Sequence, residues 1–250
     1  NHTCARLGTA PSFTMMCWGA MNNNSGQLGN NSTIGSTTPV NVSGGYNDVI
    51  SISAGRHFTC SAHNGAQKRV RCWGLNNIGQ LGNGGTTSYL YPSTVVNMDY
   101  PSMVSAGFDH ACAVRQTDGV VKCWGNSDKG QLGDGTTAWK SSPVSVVDLS
   151  GALQVSAGTK FTCAIVTGGE VNCWGNNIHG QLGDNTYTMR MLAGPLYGTF
   201  TDIFSIDAGG DHVCMYLLGG AEGWCWGYNE WGQVGDQSNV TATVPTIIRP

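Results

Sequence analysis

The chain has 250 residues, a net charge of −3 and a charged fraction of only 11%, well under the roughly 25% of an average soluble domain. Its 37 Gly and its many Ser, Thr and Asn make the surface polar through hydroxyls and amides, and its one basic cluster, Lys68, Arg69 and Arg71, is too small for the positive face that nucleic acid demands. No apolar run approaches the roughly 18 residues of a membrane span and no secretory leader is visible, while a start at Asn1 instead of Met points to a processed or partial N-terminus.

One pattern recurs five times along the chain. Cys-Trp-Gly, with its indole at Trp18, Trp73, Trp124, Trp174 and Trp226, is followed by Gly-Gln-Leu-Gly starting at Gly26, Gly79, Gly130 and Gly180, and by Gly-Gln-Val-Gly starting at Gly232. The successive Trp positions lie 55, 51, 50 and 52 residues apart. A period of that size belongs to a solenoid, a propeller or an array. The spacing predicts a single repeat domain over 1–250, with repeat cores 1–52, 53–104, 105–155, 156–206 and 207–250.

Each repeat offers four short strand candidates and no convincing helix-period segment. The first strand ends in a small-residue motif, as in Ile52-Ser53-Ala54-Gly55 and Val104-Ser105-Ala106-Gly107, which suits strands crowded round an axis. The second carries a cysteine (Phe58-Thr59-Cys60, Phe161-Thr162-Cys163), a Gly-rich turn follows, and the third brings a second cysteine next to the Trp. Neighbours on a strand point to opposite faces, so disulfide and indole should lie on opposite sides of the sheet, with the indole free to pack between sheets. A polar turn then leads to a Pro that precedes the outer strand, at Pro39, Pro92, Pro143 and Pro245.

The ten cysteines fall into five pairs, Cys4 with Cys17, Cys60 with Cys72, Cys112 with Cys123, Cys163 with Cys173 and Cys214 with Cys225, separated by 12, 11, 10, 9 and 10 residues. A conserved pair around a segment of changing length is the behaviour of a hairpin with a variable tip. No Cys-x-x-Cys exists to hold zinc. Five disulfides across antiparallel strands, and an oxidising compartment, are expected; the alternative is ten buried thiols in a cytosolic protein.

The full pattern, Ser-Ala-Gly-x-x-His/Phe-x-Cys, then Cys-Trp-Gly-x-Asn-x-x-Gly-Gln-Leu-Gly-Asp-Gly-Thr-Thr, then Pro-Val, resembles the repeat of the regulator of chromosome condensation family, in its cysteine-bearing secreted variant. The resemblance covers nearly the whole chain and implies an all-β fold: a β-propeller of four-stranded antiparallel blades. It says little about function, since the same fold serves exchange factors, photoreceptors, enzyme inhibitors and adhesive proteins. Seven blades are usual in that family and five repeats stand here, so a five-bladed ring, part of a larger ring and an open arc are all compatible with it. The inner strand of the first blade is missing from both ends of the sequence. A strand donated by another molecule would complete it, and head-to-tail repetition would build a filament.

His2, His110 and His212 share one repeat position with Phe58 and Phe161, which points to packing and not to a metal. Asp134, Asp184 and Asp236 share a turn position with Asn30 and Asn83, as turn formation requires and acid–base catalysis does not. No catalytic residue, metal site or cofactor is expected. Variable positions on the shared loop mark the candidate binding residues: Lys129, His179 and Trp231 immediately before Gly-Gln-Leu-Gly, with Trp139 and Tyr228. Asn-x-Ser/Thr occurs at Asn1, Asn23, Asn30, Asn31, Asn41 and Asn239, the candidate glycosylation sites. The functions compatible with this sequence are a secreted binding or structural module with a protein or glycan partner, a self-assembling extracellular filament, and, against the cysteines and the acidic balance, a nuclear exchange factor or chromatin binder. An enzyme is the remotest of them.

Overall fold

A computed structural model describes residues 2–9, 12–218 and 222–249, and every regular element among them is a β-strand. The first sheet holds three strands, β1 (His2–Thr9), β2 (Ser12–Gly19) and β3 (Ser36–Asn41). The second holds four in chain order, β4 (Val49–Ala54), β5 (Phe58–His63), β6 (Arg69–Gly74) and β7 (Tyr89–Asp99). The third is β8 (Pro101–Ala106), β9 (His110–Arg115), β10 (Val121–Gly125) and β11 (Lys140–Ser145), and the fourth is β12 (Ala152–Ala157), β13 (Phe161–Val166), β14 (Val171–Gly175) and β15 (Arg190–Pro195). The fifth is β16 (Ile203–Ala208), β17 (His212–Leu217), β18 (Gly223–Gly227) and β19 (Ala242–Ile247). Every pairing is antiparallel, so each sheet is a meander, a propeller blade. Among the described residues the blades meet in chain order, first to fifth, and the arc does not close.

The second and third strands of each blade place the cysteines directly opposite each other, Cys60 against Cys72 and Cys163 against Cys173, with Cα atoms 4.1 Å apart in each bridge. All ten cysteines are joined in the five pairs read from the sequence. The outer strands begin earlier than the sequence suggested. Pro39, Pro92, Pro143 and Pro245 sit inside β3, β7, β11 and β19, where the ladder to the Cys-Trp-Gly strand is bulged, as between Cys123↔Val144 and Gly125↔Lys140. A bulged edge asks for no N–H at that point, which is why proline is tolerated there.

Neighbouring sheets share no ladder, and the blades are held together by side chains and by single main-chain bonds between loops and strands, such as Gly84 N–H to the Ser141 carbonyl and Thr159 N–H to the Gly210 carbonyl, both at 2.8 Å. The cysteine side of each blade faces forward, toward the next blade, and the Trp side faces back. Trp73, Trp124, Trp174 and Trp226 are fully buried, and each indole N–H donates to the main-chain carbonyl of the Gln in the preceding blade's Gly-Gln-Leu-Gly loop, at 3.0, 3.0, 2.9 and 3.0 Å. At the axis, Ser53, Ser105 and Ser156 accept from the N–H of Ala106, Ala157 and Ala208 on the next inner strand, at 2.9, 3.1 and 2.9 Å. The Ser of the Ser-Ala-Gly motif thus satisfies an edge amide that has no strand to pair with. The Gly after it lies under the ring three residues on: a Cβ on Gly107 would stand 2.5 Å from the His110 ring and 2.3 Å from the Gly158 carbonyl.

Candidate functional site

The loops that follow Cys-Trp-Gly and those that follow Ala-Gly emerge at the same end of the blades and form one face. They are tied in pairs, because the N–H groups of Leu75, Asn126, Asn176 and Tyr228 donate to the carbonyls of His57, Asp109, Lys160 and Asp211 at 2.8 to 2.9 Å. Within each long loop an Asn, or Ser127 in the third blade, acts as a central post. Asn177 accepts from the Leu182 N–H through Oδ1 and donates through Nδ2 to the Thr186 and Thr188 carbonyls; Asn76 and Asn229 do the same in their blades. The turn carboxylates act as the sequence implied: Asp134, Asp184 and Asp236 each accept the N–H two residues on, at 3.0 Å. The result is a set of rigid loops whose tips vary.

Charges alternate round this face. Lys160 pairs with Asp128 at 2.5 Å, which together with the Gln131 amide brings the Asp128 carboxyl below its ordinary range despite its partial burial. Burial pushes Asp109 up, against the pull of Arg56, His57 and Lys160. Arg56 stacks over Phe108 at 4.4 Å, beside a shallow axial depression of about 220 Å³ floored by Gly55, Gly107, Gly158 and Gly209.

Of the five candidate binding residues, the structure brings three together, His179, Tyr228 and Trp231. His179 of the fourth blade packs on Tyr228 of the fifth with ring centroids 4.8 Å apart, and the Tyr228 hydroxyl donates to Glu230, which raises its pKa. Trp231, on the same loop as Tyr228, is 84% exposed, with its main-chain N–H donating to the Gln233 side-chain carbonyl. Lys129 is half-buried on the third blade's loop, and Trp139, just ahead of β11, is 51% exposed; neither contacts the His179–Tyr228 pair among the described residues.

The sequons divide. Asn23 is fully buried, its Nδ2 donates to Ser32 and Ile34, and its Oδ1 accepts from Leu28, so the folded chain presents no amide there for a glycan. Asn31, Asn41 and Asn239 are exposed, Asn30 is half-buried, and Asn1 lies outside the described residues.

A polar relay that the sequence reading did not single out runs from Ser61 to His63 Nε2 at 2.9 Å and from His63 Nδ1 to Asp48 at 2.7 Å. Its connectivity is that of a hydrolase triad. Ser61 and His63 are both wholly buried, however, so no substrate reaches them, and the relay serves to satisfy buried polar groups between the first two blades. Burial lowers the His63 pKa against the pull of Asp48, while burial raises Asp48 and the His63 contact brings it net below the ordinary carboxyl value. Among the described residues no three His, Cys, Asp or Glu side chains gather in a way that would hold a metal ion.

The first and fifth blades each present an end face that carries junction chemistry. On the fifth, Tyr216 is 48% exposed where Ile165, Val114 and Ala62 are at 2%, 1% and 0%. A Cβ on Gly29, Gly82, Gly133 or Gly183 would strike the next blade's indole, whereas on Gly235 it meets only Ile248 of its own blade. On the first blade Trp18 and Met16 are half-buried and Leu7 is 45% exposed, where the corresponding Trp73, Arg71 and His63 are buried.

Blades of this construction, stapled by hairpin disulfides and locked by an indole on a Gly-Gln-Leu-Gly loop, define a β-propeller of the repeat type whose rigid loops share one face. The chain belongs to the regulator of chromosome condensation (RCC1) repeat family, whose repeat it matches over residues 16–62, 69–114 and 118–165. It is 27% identical over 184 residues to the ultraviolet-B receptor UVR8 of Arabidopsis thaliana, covering 72% of this chain and 42% of that protein, and 27% identical over 206 residues to human HERC2, an E3 ubiquitin-protein ligase, covering 78% and 4%. The chain therefore spans less than half the length of these curated relatives. Among solved structures it superposes on human WBSCR16 with a TM-score of 0.82 at 20% identity, covering 99% of this chain and 68% of that one. Yeast RCC1 (Prp20), bound to Kap60, gives a TM-score of 0.82 at 18% identity and coverages of 100% and 59%.

Proposed function

We propose that this chain is a non-catalytic extracellular module that binds a protein through its loop face, at the aromatic step formed by His179, Tyr228 and Trp231. The observation that carries the reading is Trp231, a large side chain held out at 84% exposure on a loop whose backbone is fixed by Asn229 and Gln233. An exposed Trp on a rigid loop buries much area on binding with little loss of conformational freedom. A protein partner also accords with Prp20, which shares the fold and was solved bound to Kap60. Five disulfides support an oxidising compartment and speak against a nuclear exchange factor.

The test is to present the immobilised protein and its Trp231→Ala and Tyr228→Ala variants with the secreted proteins of its source and, separately, with a glycan array. The reading requires a protein retained by the parent and by Trp139→Ala but lost from both loop variants. Equal retention by all variants, or binding to glycans alone, would overturn it.

A further inference from the structure

A cleft of about 190 Å³ opens at the end of the fourth blade opposite the loop face, between the hairpin tip that joins β13 to β14 and the link from β15 to β16. Its walls are apolar: Val171 and Leu196 are buried, and Phe200 is half-buried and edge-on to Trp224, with ring centroids 5.4 Å apart. The cleft lies on the fourth blade and its link to the fifth, so the blades on both sides of it belong to this chain.

Its rim is acidic. Glu170 lines the cleft and Asp202 follows Thr201, which lines it too; both carboxylates are exposed. Gly169 brings them side by side, because its φ of +77° and missing side chain let the hairpin tip press on the link: a Cβ there would stand 2.8 Å from the Asp202 N. Main-chain bonds fix both segments, Val166 N–H to the Glu170 carbonyl at 2.9 Å and Leu218 N–H to the Asp202 carbonyl at 2.7 Å. Neither carboxylate is in an ion pair among the described residues. Between Lys160 and Arg249 the sole Lys or Arg is Arg190, which Asp184 holds at 2.8 Å.

The chain itself shows what such a corner takes. Three residues before its second cysteine the second blade has Arg69 where the fourth has Glu170, and just ahead of the next inner strand it has Tyr100 where the fourth has Asp202. Arg69 pairs with Asp99, and Lys68 lies over the Tyr100 ring, 4.9 Å from its centroid. In the link from the first blade to the second, Tyr46 stands where Phe200 does, and Arg71 lies 4.4 Å over its ring. Both corners thus supply their own cation to an aromatic ring or a carboxylate. We propose that the cleft of the fourth blade binds a Lys or Arg side chain of a protein partner. The aliphatic stem lies against Val171, Leu196 and Phe200, and the cationic head meets Glu170 and Asp202.

Capped, fluorescein-labelled peptides with a central Arg, Lys, Gln or Glu between apolar residues are the probe, read by fluorescence anisotropy against the full chain. The Arg and Lys peptides should bind about fivefold more tightly than the Gln peptide, the upper range for one exposed ion pair, and the margin should shrink as salt is raised. Glu170→Gln should cut that margin, and so should Asp202→Asn, a change that the left-handed φ of 59° at that position tolerates. Glu170→Arg, which installs the residue of the second blade, should abolish it. Asp148→Asn, on the link from the third blade to the fourth, should leave it intact. Unchanged melting temperatures will show that the variants fold. No binding to the parent, equal binding of the Arg, Lys and Gln peptides, or a margin that survives both Glu170→Gln and Asp202→Asn would overturn the proposal.

Discussion

The indole N–H of Trp124 is the sole donor, among the described residues, to the Gln80 carbonyl 3.0 Å away on the preceding blade, whereas the Gln131 carbonyl takes both Trp174 and the Thr162 hydroxyl. The difference follows from the residue before the cysteine, Ala111 in one blade and Thr162 in the other.

Two otherwise equivalent substitutions should therefore differ in cost. Trp124→Phe leaves a buried carbonyl without a partner and should lose about 1–3 kcal/mol beyond the packing loss, while Trp174→Phe leaves Thr162 still donating. Urea denaturation of both variants checks this, with Trp124→Phe expected to be the less stable. Equal midpoints would mean that the carbonyl is rehydrated when the indole is removed.

Acid should destabilise the protein through His110. Its Nε2–H donates to Thr162, its Nδ1 has no partner, and burial lowers its pKa from 6.5 to about 4. The folded state therefore binds fewer protons than the unfolded state between those values, and stability that is complete above pH 6.5 is lost as pH falls toward 4, by about 3 kcal/mol. His2, lowered to about 4 mainly by burial, acts in the same sense. His110→Phe, the residue that nature places at Phe58 and Phe161, should flatten this part of the stability-against-pH curve. A parent curve without a slope between pH 6.5 and 4 would show that the buried rings protonate freely.

Much of this architecture is legible in the sequence, because a disulfide across a hairpin, a turn Asp and the Cys/Trp alternation are local matters settled by spacing. The rest depends on contacts some 50 residues apart. Nothing local says that the Trp side faces back and the cysteine side forward. The conserved Gln of Gly-Gln-Leu-Gly misleads, since its main-chain carbonyl receives the indole while its side chain braces its own loop, as Gln80 does with Ile78 and Asn77. The His/Phe alternation was visible, and reading it as packing missed its partner: Thr or Ala/Val one repeat on. Asn23 fits the Asn-x-Ser pattern, and its buried place as a loop post depends on the Ser32 and Ile34 carbonyls that the fold brings to it.

Gly107→Ala should be poorly tolerated although its backbone is not in the left-handed region. The new methyl would meet the Gly158 carbonyl at 2.3 Å and the His110 ring at 2.5 Å, both immobile at a junction. Overpacking of this kind costs about 1–3 kcal/mol. Gly168→Ala, which meets nothing within 4 Å, isolates the backbone penalty of its φ of +100° and serves as the comparison in thermal melts. A Gly107→Ala variant as stable as the parent would show that neighbouring inner strands can slide apart.

The disulfides should not be equivalent. Each closes a short loop, Cys163–Cys173 with a sequence separation of 10 and Cys214–Cys225 with 11, so the chain-entropy contribution is about 3 kcal/mol for both. What differs is the surroundings. Cys163 and Cys173 are fully buried against the fifth blade, whereas Cys214 is half-buried among the described residues. Replacing both cysteines by Ala removes the staple in either case but leaves an internal void only in the first. The Cys163→Ala/Cys173→Ala protein should therefore be less stable than Cys214→Ala/Cys225→Ala by about 1 kcal/mol or more, the cost of the cavity. Calorimetry of the two variants reads this directly, and equal stabilities would mean that the surroundings of Cys163 and Cys173 close over the void.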